Sequence, residues 1–468
     1  MDQPVWDGLN LDLGSLFLLF ITVCAFMIPV AIVLPPVPVR KSDALLQTHN
    51  LAGVRRAKSA LNNQYDAAAH APRDGKPATV QSLLIHPVKS CRAIELTRSR
   101  VLPQGLEFDR LFTFAQLKSP FPVSVDETDA TKSQHRWEFI TQRQFPRLAT
   151  VKVDLWLPDE MKLRRQSMKL TREAFLILRF PWKEDGWRGL LSVVLAKLGG
   201  GAAAEPEKEI LLPVDFPSAA EMKEKGYTFE DVKIWKEVVP ALNMSTELPR
   251  ELMLYLGVSN KLGLFRIDPA QLREVFRCAP VKDDAGYQPV TGFQDAYPLH
   301  VVTLNSLQKF SEEVPKDDQL KELDVRRFRA NIILSGVPAY DEETWMKTRF
   351  KPGKSGLYND AVFHVSCRTV RCKMPNVDPD TGERHPREPD RSLRALRDVD
   401  KGAPLNGCLG MQLTPLFEVD DAPPNSSNSK LGSGLMGDDD PDDGRSAWIA
   451  VGMTVEVEER GEHLYIPQ

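Results

Sequence analysis

The stretch SCRTVRCKMPNVDPDTGERHP, Ser366–Pro386, decides how this chain is interpreted, and it follows the apolar run AVFHV. An apolar run that breaks into Pro, Asp and Gly is typical of a strand that ends in a turn. Cys367 and Cys372 lie near that end, with Arg368 and Arg371 beside them. Cysteine acts as a nucleophile or a metal ligand in its thiolate form, which nearby positive charge favours. Two interpretations of Cys372 follow: a buried hydrophobic residue, or a thiolate that does chemistry.

The length and composition of the chain indicate a globular protein of two or three domains, since it has 468 residues and domains of about 100–200 residues are usual. Its formal net charge of −4 argues against nucleic-acid binding, so any anion site must be local. The six cysteines are too scattered for a disulfide framework, which favours a reducing compartment. They are Cys24, Cys91, Cys278, Cys367, Cys372 and Cys408.

The N-terminal segment 13–34, LGSLFLLFITVCAFMIPVAIVL, contains 22 residues without a charge. That length suffices for a hydrocarbon core of about 30 Å, so the sequence predicts a membrane span within an anchor over residues 1–41. Lys and Arg follow the apolar run and none precedes it, which places the C-terminal bulk in the cytosol. The alternative is a buried core helix.

The rest of the chain divides into segments that differ in composition and in the spacing of their apolar residues. Residues 42–78 have the spacing of a loose helix and are predicted to be a tether, and short β-like runs between turns begin at Thr79. Residues 79–296 are predicted to form a β-barrel-like domain with a helical insertion that includes TFEDVKIWKEVV (228–239) and a helix capped near Ser245. Residues 297–468 form the second strand-bearing domain, with a disordered acidic insertion at 419–446.

Four basic turns share one form, in which a β run ends and a cation appears with small polar residues. They are HPVKSC (86–91), GLEFDRLF (105–112), TQRQFPRL (141–148) and RRFRANIIL (326–334). Arg, Lys, hydroxyl groups and loop amides that converge could hold a phosphate and a polar heterocycle. Each turn alone is also compatible with a solvated surface loop.

The sequence lacks the motifs that several kinds of enzyme chemistry require. The sequence has no phosphate-binding glycine loop, no HExxH and no GxSxG. Soft thiolates suit zinc, Cu(I), Fe–S clusters and, by the same softness argument, sulfur-bound molybdenum. Zinc and Fe–S sites need more Cys or His ligands than the Cys367-x4-Cys372 pair offers. Cys91, Cys278, Cys367 and Cys408 are interpreted as small buried hydrophobic residues.

The motifs HPVKSC, GLEFDRLF, TQRQFPRL and RRFRANIILSG, followed by RCKMPNVDPDTGERHPREP, resemble the MOSC proteins, specifically the membrane-anchored mitochondrial amidoxime-reducing component group. The resemblance runs in order from about Thr79 to Gly410 and resumes at the last strand. It implies a β-rich α+β fold, in which a MOSC N-terminal β-barrel-like domain precedes the MOSC β-barrel domain. It also implies a molybdenum-pterin cofactor between the two domains.

The resemblance also implies site residues. Cys372 is expected to be the catalytic thiolate and the protein ligand of molybdenum. Eight residues are expected to bind the cofactor: Lys89, Ser90, Arg110, Arg327, Arg329 and Asn331, and with them Thr303 and Ser306, next to Asn305. Asp378 and Asp380 are expected to hold the turn after the ligand cysteine. This chain departs from the family at Met374, Pro375 and Asn376, where small hydroxyl residues are usual, which bears on substrate preference.

The function predicted on this basis is that of a molybdenum-dependent oxidoreductase that reduces small N-hydroxylated compounds of the amidoxime type. The expected partners are a cytochrome b5-type electron donor and an NADH-dependent reductase on the same membrane, and the mitochondrial outer membrane is favoured over the endoplasmic reticulum. The alternative is a cofactor-binding or sulfur-carrier MOSC module like that of molybdenum cofactor sulfurases, although this chain lacks their pyridoxal-phosphate domain. A third interpretation is a membrane-tethered interaction protein with a degenerate site.

Overall fold

The computed structural model describes residues 12–33, 40–120, 135–165, 173–353, 358–417 and 445–467. The chain forms two compact units. The first comprises residues 1–44 and 181–208, and the second comprises residues 45–180 and 209–468. The predicted acidic insertion at 419–446 lies outside the described residues except for its last two positions.

Ten α-helices occur in the described ranges. They are α1 (Leu13–Val33), α2 (Lys41–Leu45), α3 (Ala67–His70), α4 (Glu160–Arg165), α5 (Gly186–Gly200), α6 (Ala219–Lys225), α7 (Arg250–Leu256), α8 (Lys282–Ala285), α9 (Leu304–Glu313) and α10 (Asp390–Leu396). The predicted membrane span falls on α1, apart from Leu34, which is not among the described residues. Within the part of the chain that the structure describes, no helix is both long enough and apolar enough to cross a membrane. The predicted anchor is therefore not supported by the structure.

The described strands, which dominate the second unit, are β1 (His49–Leu51), β2 (Ala78–Ile85), β3 (Ile94–Leu96), β4 (Arg98–Leu102), β5 (Gly105–Leu106), β6 (Phe112–Lys118), β7 (Arg136–Phe139), β8 (Lys152–Pro158), β9 (Phe175–Pro181), β10 (Glu207–Pro213), β11 (Thr228–Ile234), β12 (Glu237–Asn243), β13 (Leu262–Ile267), β14 (Arg273–Glu274), β15 (Val290–Thr291), β16 (Leu299–Thr303), β17 (Ile332–Ser335), β18 (Trp345–Lys351), β19 (Ala361–Val370), β20 (Cys408–Leu416), β21 (Ala447–Ala450) and β22 (Thr454–Arg460). The β-rich character predicted from the sequence is confirmed.

A closed barrel is built from strands β11, β12, β13, β6 and β7 in that order. Its interior is apolar because alternate strand residues, such as Val232 and Ile234, point inward beside Phe265 and Trp137. Closure removes the exposed strand edges that an open sheet of this size would leave. This barrel supplies one wall of the cavity described below.

The segment TFEDVKIWKEVV, predicted to be helical, is instead the β11–β12 hairpin of this barrel. Val232 and Ile234 alternate inward, whereas a helix would have needed apolar residues three and four apart. Ile234 pairs with Glu237, so the turn consists of Trp235 and Lys236, and Trp235 has a φ of 55°. The predicted cap at Ser245 is also wrong, since α7 begins after Pro249 and no side chain caps it.

An eight-stranded sheet carries the remaining cavity walls. Its strand order is β17-β16-β20-β19-β18-β22-β2-β3, and β17 at one end of that order also pairs with β2 near the other end. Helix α9 packs on it through Leu307 and Phe310, over a core that includes Val302 and Ile333. Strand β19 has two register shifts against β20 before it ends at Val370. The stretch Ser366–Pro386 therefore leaves the sheet at the residue pair Arg371 and Cys372.

A third sheet, β1-β8-β9-β10, includes part of the segment predicted to be a tether. His49 to Leu51 pair with β8, and the buried His70 is hydrogen-bonded through its Nδ1 to the Ser335 hydroxyl, 2.9 Å away. Helix in this segment is limited to α2 and α3. Residues 45–78 thus pack as an integral part of the second unit.

Candidate functional site

The site is a cavity of about 660 Å³ in the second unit, at the point where β19 ends. Cys372 lines it, together with Trp235 and Lys236 from the barrel hairpin and Met374 from the turn after the cysteine. The barrel and the eight-stranded sheet therefore both contribute walls. Of the residues predicted from the sequence, five line this cavity: Lys89, Ser90, Arg110, Arg329 and Cys372.

The cavity is strongly cationic although the whole chain is slightly acidic. Two carboxylates, Glu237 and Asp295, line it alongside nine cations, which are Lys89, Arg110, Arg143, Lys236, Arg273, Arg329, Arg368, Arg371 and Arg394. A concave basic surface with low-dielectric walls concentrates positive potential. Its occupant is thus expected to be anionic.

Lys89 and Ser90 reach the cavity from the loop that follows β2. The Lys89 ammonium group donates to Asp295 Oδ1 at 2.6 Å and to the Phe293 carbonyl oxygen at 2.7 Å. Burial lowers the pKa of Lys89, whereas its attraction to Asp295 opposes that shift. Ser90 has a φ of 69°, and its buried Oγ makes no hydrogen bond with any described residue. One hydroxyl therefore faces the cavity without a protein partner.

Arg110 is held at the cavity wall by three groups. Its guanidinium group pairs with buried Asp109 and donates to Asn331 Oδ1 and to the Arg329 carbonyl oxygen, both at 3.2 Å. Arg110 and nearby His86 lower the pKa of Asp109 to about 2, overcoming the opposite effect of burial. Asn331, also predicted as a cofactor ligand, is not among the residues that line the cavity, and it contacts the cavity residue Arg110 through its Oδ1.

Two guanidinium groups keep their charge available to a ligand. Arg329 donates to the Cys91 carbonyl oxygen at 2.8 Å and to Gln142 Oε1 at 3.3 Å, and Arg371 donates to the Phe328 carbonyl oxygen at 2.8 Å. These acceptors are neutral, and burial lowers the pKa of Arg329 to about 9 and that of Arg371 to about 10. Partly buried cations without a counter-ion are costly, and an anion in the cavity would offset that cost.

His300 is a cavity residue that the sequence did not reveal, because it lies within the apolar run PLHVV. It is buried, and its Nε2 has no partner among the described residues. Burial, followed by the charges of Arg371 and Arg110, lowers its pKa well below the ordinary value, so the ring is neutral. A neutral imidazole can donate or accept one hydrogen bond at Nε2, according to its tautomer.

The turn after Cys372 is held from behind rather than from the cavity. Arg327 donates to Asp378 Oδ2 at 2.6 Å and to the carbonyl oxygens of Pro375 and Asn376 at 3.3 Å. Asp378 Oδ1 in turn accepts the amides of Asp380 and Thr381 at 2.9 Å. Arg327 is thus not among the residues that line the cavity, and it holds the turn together with Asp378.

Thr303 and Ser306 lie away from the cavity, contrary to the predicted third wall. Thr303 caps α9, and both hydroxyls donate to the buried carboxyl of Glu342, at 3.1 and 2.9 Å. Asn305 is also absent from the cavity lining. Burial raises the pKa of Glu342 to about 7. The short apolar run before Thr303 is a core strand, so its polar end serves packing and capping of the helix.

Comparison with known proteins finds two family matches. Residues 77–177 match the MOSC N-terminal beta barrel domain, and residues 288–415 match the MOSC domain. Among the chain's relatives is a rat protein named mitochondrial amidoxime reducing component 2, 22% identical over 360 residues that cover 77% of this chain and 82% of the relative. A mouse protein named mitochondrial amidoxime-reducing component 1 is 28% identical over 325 residues, covering 69% and 72%.

A second group of relatives is named molybdenum cofactor sulfurase. The zebrafish protein of that name is 24% identical over 334 residues, which cover 69% of this chain but 31% of the relative. The two family matches fall on the segments that build the cavity: Lys89, Ser90 and Arg110 lie in the first, and Arg329 and Cys372 in the second. Both groups of names concern molybdenum or amidoxime chemistry in those relatives.

The cavity residues fit an anionic, sulfur-bound metal cofactor. Ser90 Oγ, His300 Nε2, Arg329 Nη2 and Arg371 Nε are buried polar atoms without a partner among the described residues, and a polar heterocycle with a phosphate could satisfy them. Among the described residues, no group of three or more His, Cys, Asp or Glu could hold a bare metal ion. One half-buried thiol, Cys372, therefore suits a metal whose other ligands come with the cofactor.

Proposed function

We propose that this protein is a molybdenum-cofactor-dependent reductase of small N-hydroxylated compounds of the amidoxime type. One observation carries the proposal: the Cys372 thiol lines a cationic cavity in which several buried polar atoms have no hydrogen-bond partner in the part of the chain that the structure describes. The names of the rat and mouse relatives add the reaction type.

In this proposal the chain binds the cofactor with groups already directed at the cavity. Arg329 and Arg371 bind its anionic part, Ser90 and His300 hydrogen-bond its polar ring, and Cys372 supplies one thiolate. When bound, the cofactor would supply two-electron chemistry at molybdenum. Because His300 is neutral, it adds a directional hydrogen bond without adding further positive charge.

Substrate selection is proposed to involve Met374. Of the three residues at which this chain departs from the family pattern, Met374 lines the cavity, whereas Pro375 and Asn376 do not. The Asn376 side chain binds the His385 carbonyl oxygen at 3.1 Å and the Asp390 amide at 3.0 Å, which ties it to the turn. A thioether in place of a small hydroxyl residue makes this face more apolar, which favours apolar N-hydroxylated substrates.

Electrons are proposed to come from a cytochrome b5-type protein and an NADH-dependent reductase, since the sequence carries no flavin or haem motif of its own.

The proposed location is the mitochondrial outer membrane with the body in the cytosol, and it rests on the apolar segment 13–34 and on the relatives' names. Fractionation of cells that express the full chain, beside a chain without residues 1–41, tests it. Equal recovery of both chains in the membrane-free fraction would refute the anchor.

A second candidate is a molybdenum cofactor carrier without reductase activity, and the sulfurase relatives favour it. The two are separated by measuring molybdenum and pterin in the full chain from a host that makes the cofactor, and then benzamidoxime reduction with an artificial electron donor. About one molybdenum per chain with turnover supports the reductase, and bound cofactor without turnover supports the carrier. Folded protein that never contains molybdenum refutes both. Cys408→Ala, a buried cysteine outside the cavity, is the matched control for Cys372→Ala.

A further inference from the structure

Two cysteines beside the cavity are not used by the proposed function. Cys278 lies in the loop between β14 and α8 with a φ of 55°, and Cys367 lies on β19, five residues before Cys372. They are far apart in the chain, yet they pack in one cluster with Val275 and Tyr297. Within that cluster each of the two thiols affects the pKa of the other. Both thiols are reduced in this structure.

The two sulfurs differ in accessibility and in charge. Cys367 is fully buried, whereas Cys278 is partly exposed to solvent. The hydrogen bond from Cys367, followed by those from the Ile466 amide and Tyr297, lowers the pKa of Cys278 to about 6. The same bond, together with burial, raises the pKa of Cys367. One accessible thiolate beside one buried thiol is the arrangement of an attacking and a resolving cysteine.

Cys278 also holds the C-terminal tail against the cavity. Its sulfur accepts the Ile466 amide at 3.3 Å and lies 3.5 Å from the Leu464 carbonyl oxygen, to which the thiol donates. Tyr465 and Pro467, on either side of Ile466, line the cavity. The Tyr465 amide is held separately by Asp400 Oδ1 at 2.9 Å, so the bond at Ile466 is the one that depends on the oxidation state of the Cys278 sulfur.

We propose that Cys278 and Cys367 form a peroxide-sensitive dithiol pair whose oxidation to a disulfide loosens the C-terminal tail at the cavity. The Cys278 thiolate attacks a hydroperoxide, so that an S–O bond forms, the O–O bond breaks and one water or alcohol leaves. Cys367 then attacks the sulfenic sulfur, so that the S–S bond forms and a water leaves. The pair loses two electrons and the hydroperoxide gains them.

The disulfide would change the tail because it changes what the Cys278 sulfur can bind. A disulfide sulfur is a weaker acceptor for the Ile466 amide than the Cys278 thiolate is. The cross-link also ties the β14–α8 loop to the strand that leads to Cys372. Arg273 at the start of that loop and Arg368 next to Cys367 both line the cavity, so the pair connects two of its walls.

Peptide mapping of the full chain after treatment with hydrogen peroxide tests the chemistry. Trypsin cleaves at Arg277, Arg368 and Arg371, which puts the relevant cysteines in separate peptides, 278–282, 355–368 and 372–373. We expect peptide 278–282 linked to 355–368, two hydrogens lighter than their sum and separated by dithiothreitol. Cys278→Ser should leave Cys367 reduced, and Cys408→Ala should leave the cross-link unchanged. Oxidation of Cys278 without this link overturns the proposal.

Two further measurements do not depend on cofactor loading or on turnover. At pH 7 a thiol of pKa about 6 is about 30-fold more ionised than one at the ordinary 8.5, so alkylation of Cys278 should slow by up to that factor in Cys367→Ala. The other groups near Cys278 are Tyr297, Tyr465 and Asp400, which all remain in this variant. Amide exchange at Ile466 should accelerate on oxidation, and exchange as slow as in the reduced protein refutes the coupling to the tail.

Discussion

The buried carboxyl of Glu342 should make the protein lose stability as the pH rises through neutrality. Only 1% of this residue is exposed, and the hydroxyls of Thr303 and Ser306 bind it. Burial raises its pKa to about 7, whereas an unfolded glutamate has a pKa of about 4.3. Between these values the carboxyl is protonated in the folded state and ionised in the unfolded state. The folded state then holds the extra proton, so the free energy of unfolding falls with increasing pH.

The size of the effect follows from the shift. Each pKa unit corresponds to about 1.4 kcal/mol, so the free energy of unfolding should fall by about 3 kcal/mol between pH 4.5 and 7 and then level off. Glu342→Gln removes the titration while keeping groups that can bond both hydroxyls. It should therefore lose little stability at pH 5 and appear relatively more stable at pH 8.

The assay is the melting temperature of wild type and Glu342→Gln from pH 5 to pH 8, in buffers of equal ionic strength. The exposed Glu322→Gln is a matched control that changes the same charge without burial. The wild type should lose several degrees relative to Glu342→Gln as the pH rises, and it should not do so relative to Glu322→Gln. Parallel pH profiles for wild type and Glu342→Gln would show that the carboxyl does not titrate in this range.

Three further perturbations test the cavity. Cys372→Ser should remove bound molybdenum, measured by mass spectrometry of the metal, without changing the melting temperature; full occupancy would exclude the thiolate as ligand. Asn331→Ala removes one hydrogen bond each from the Arg110 guanidinium group, the His300 amide and the Leu84 carbonyl oxygen, at roughly 1–3 kcal/mol, so both unfolding free energy and pterin content should fall, and an unchanged pterin content would contradict a positioning role for Asn331. Gly410→Ala brings a methyl group within 2.6 Å of His300 Nε2, so it should lower pterin content, whereas Gly452→Ala, with a similar φ and open space, should not.

The sequence led to the cationic part of the cavity because its signals are local. A cation and a small polar residue that end a β run, as at Lys89 and Ser90, are visible without knowing the fold. Arg110, Arg329 and Cys372 belong to turns of the same kind, and the cavity brings all five together. The converging turns that the sequence predicted are thus present, although each was ambiguous alone.

The other predictions failed where contacts between residues distant in the chain override the local sequence pattern. Trp235 lies in a run with mixed helical and strand periodicity, and only its pairing within the barrel makes it a hairpin turn at the cavity. Thr303 and Ser306 are polar residues at the end of an apolar run, which is the pattern predicted for a cavity wall. Both hydroxyls instead donate hydrogen bonds to Glu342, which is distant in the chain. His300 lies in an apolar run, which gives no sign that it lines a cavity. Its position there depends on the neighbouring strands of the sheet, which bury it.

The eight-stranded sheet has a consequence for how this chain is made. Thr79 near its beginning pairs with Thr454 near its end, and β2 also pairs with β17. During synthesis β2 therefore leaves the ribosome long before β22 exists, and the sheet cannot be completed until nearly the whole chain is available. Folds dominated by such distant pairings fold slowly and expose strand edges while they wait. A fragment starting at residue 297 would lack β2 and β3, so an isolated C-terminal half should aggregate rather than fold, and a chaperone should bind the nascent chain at β2.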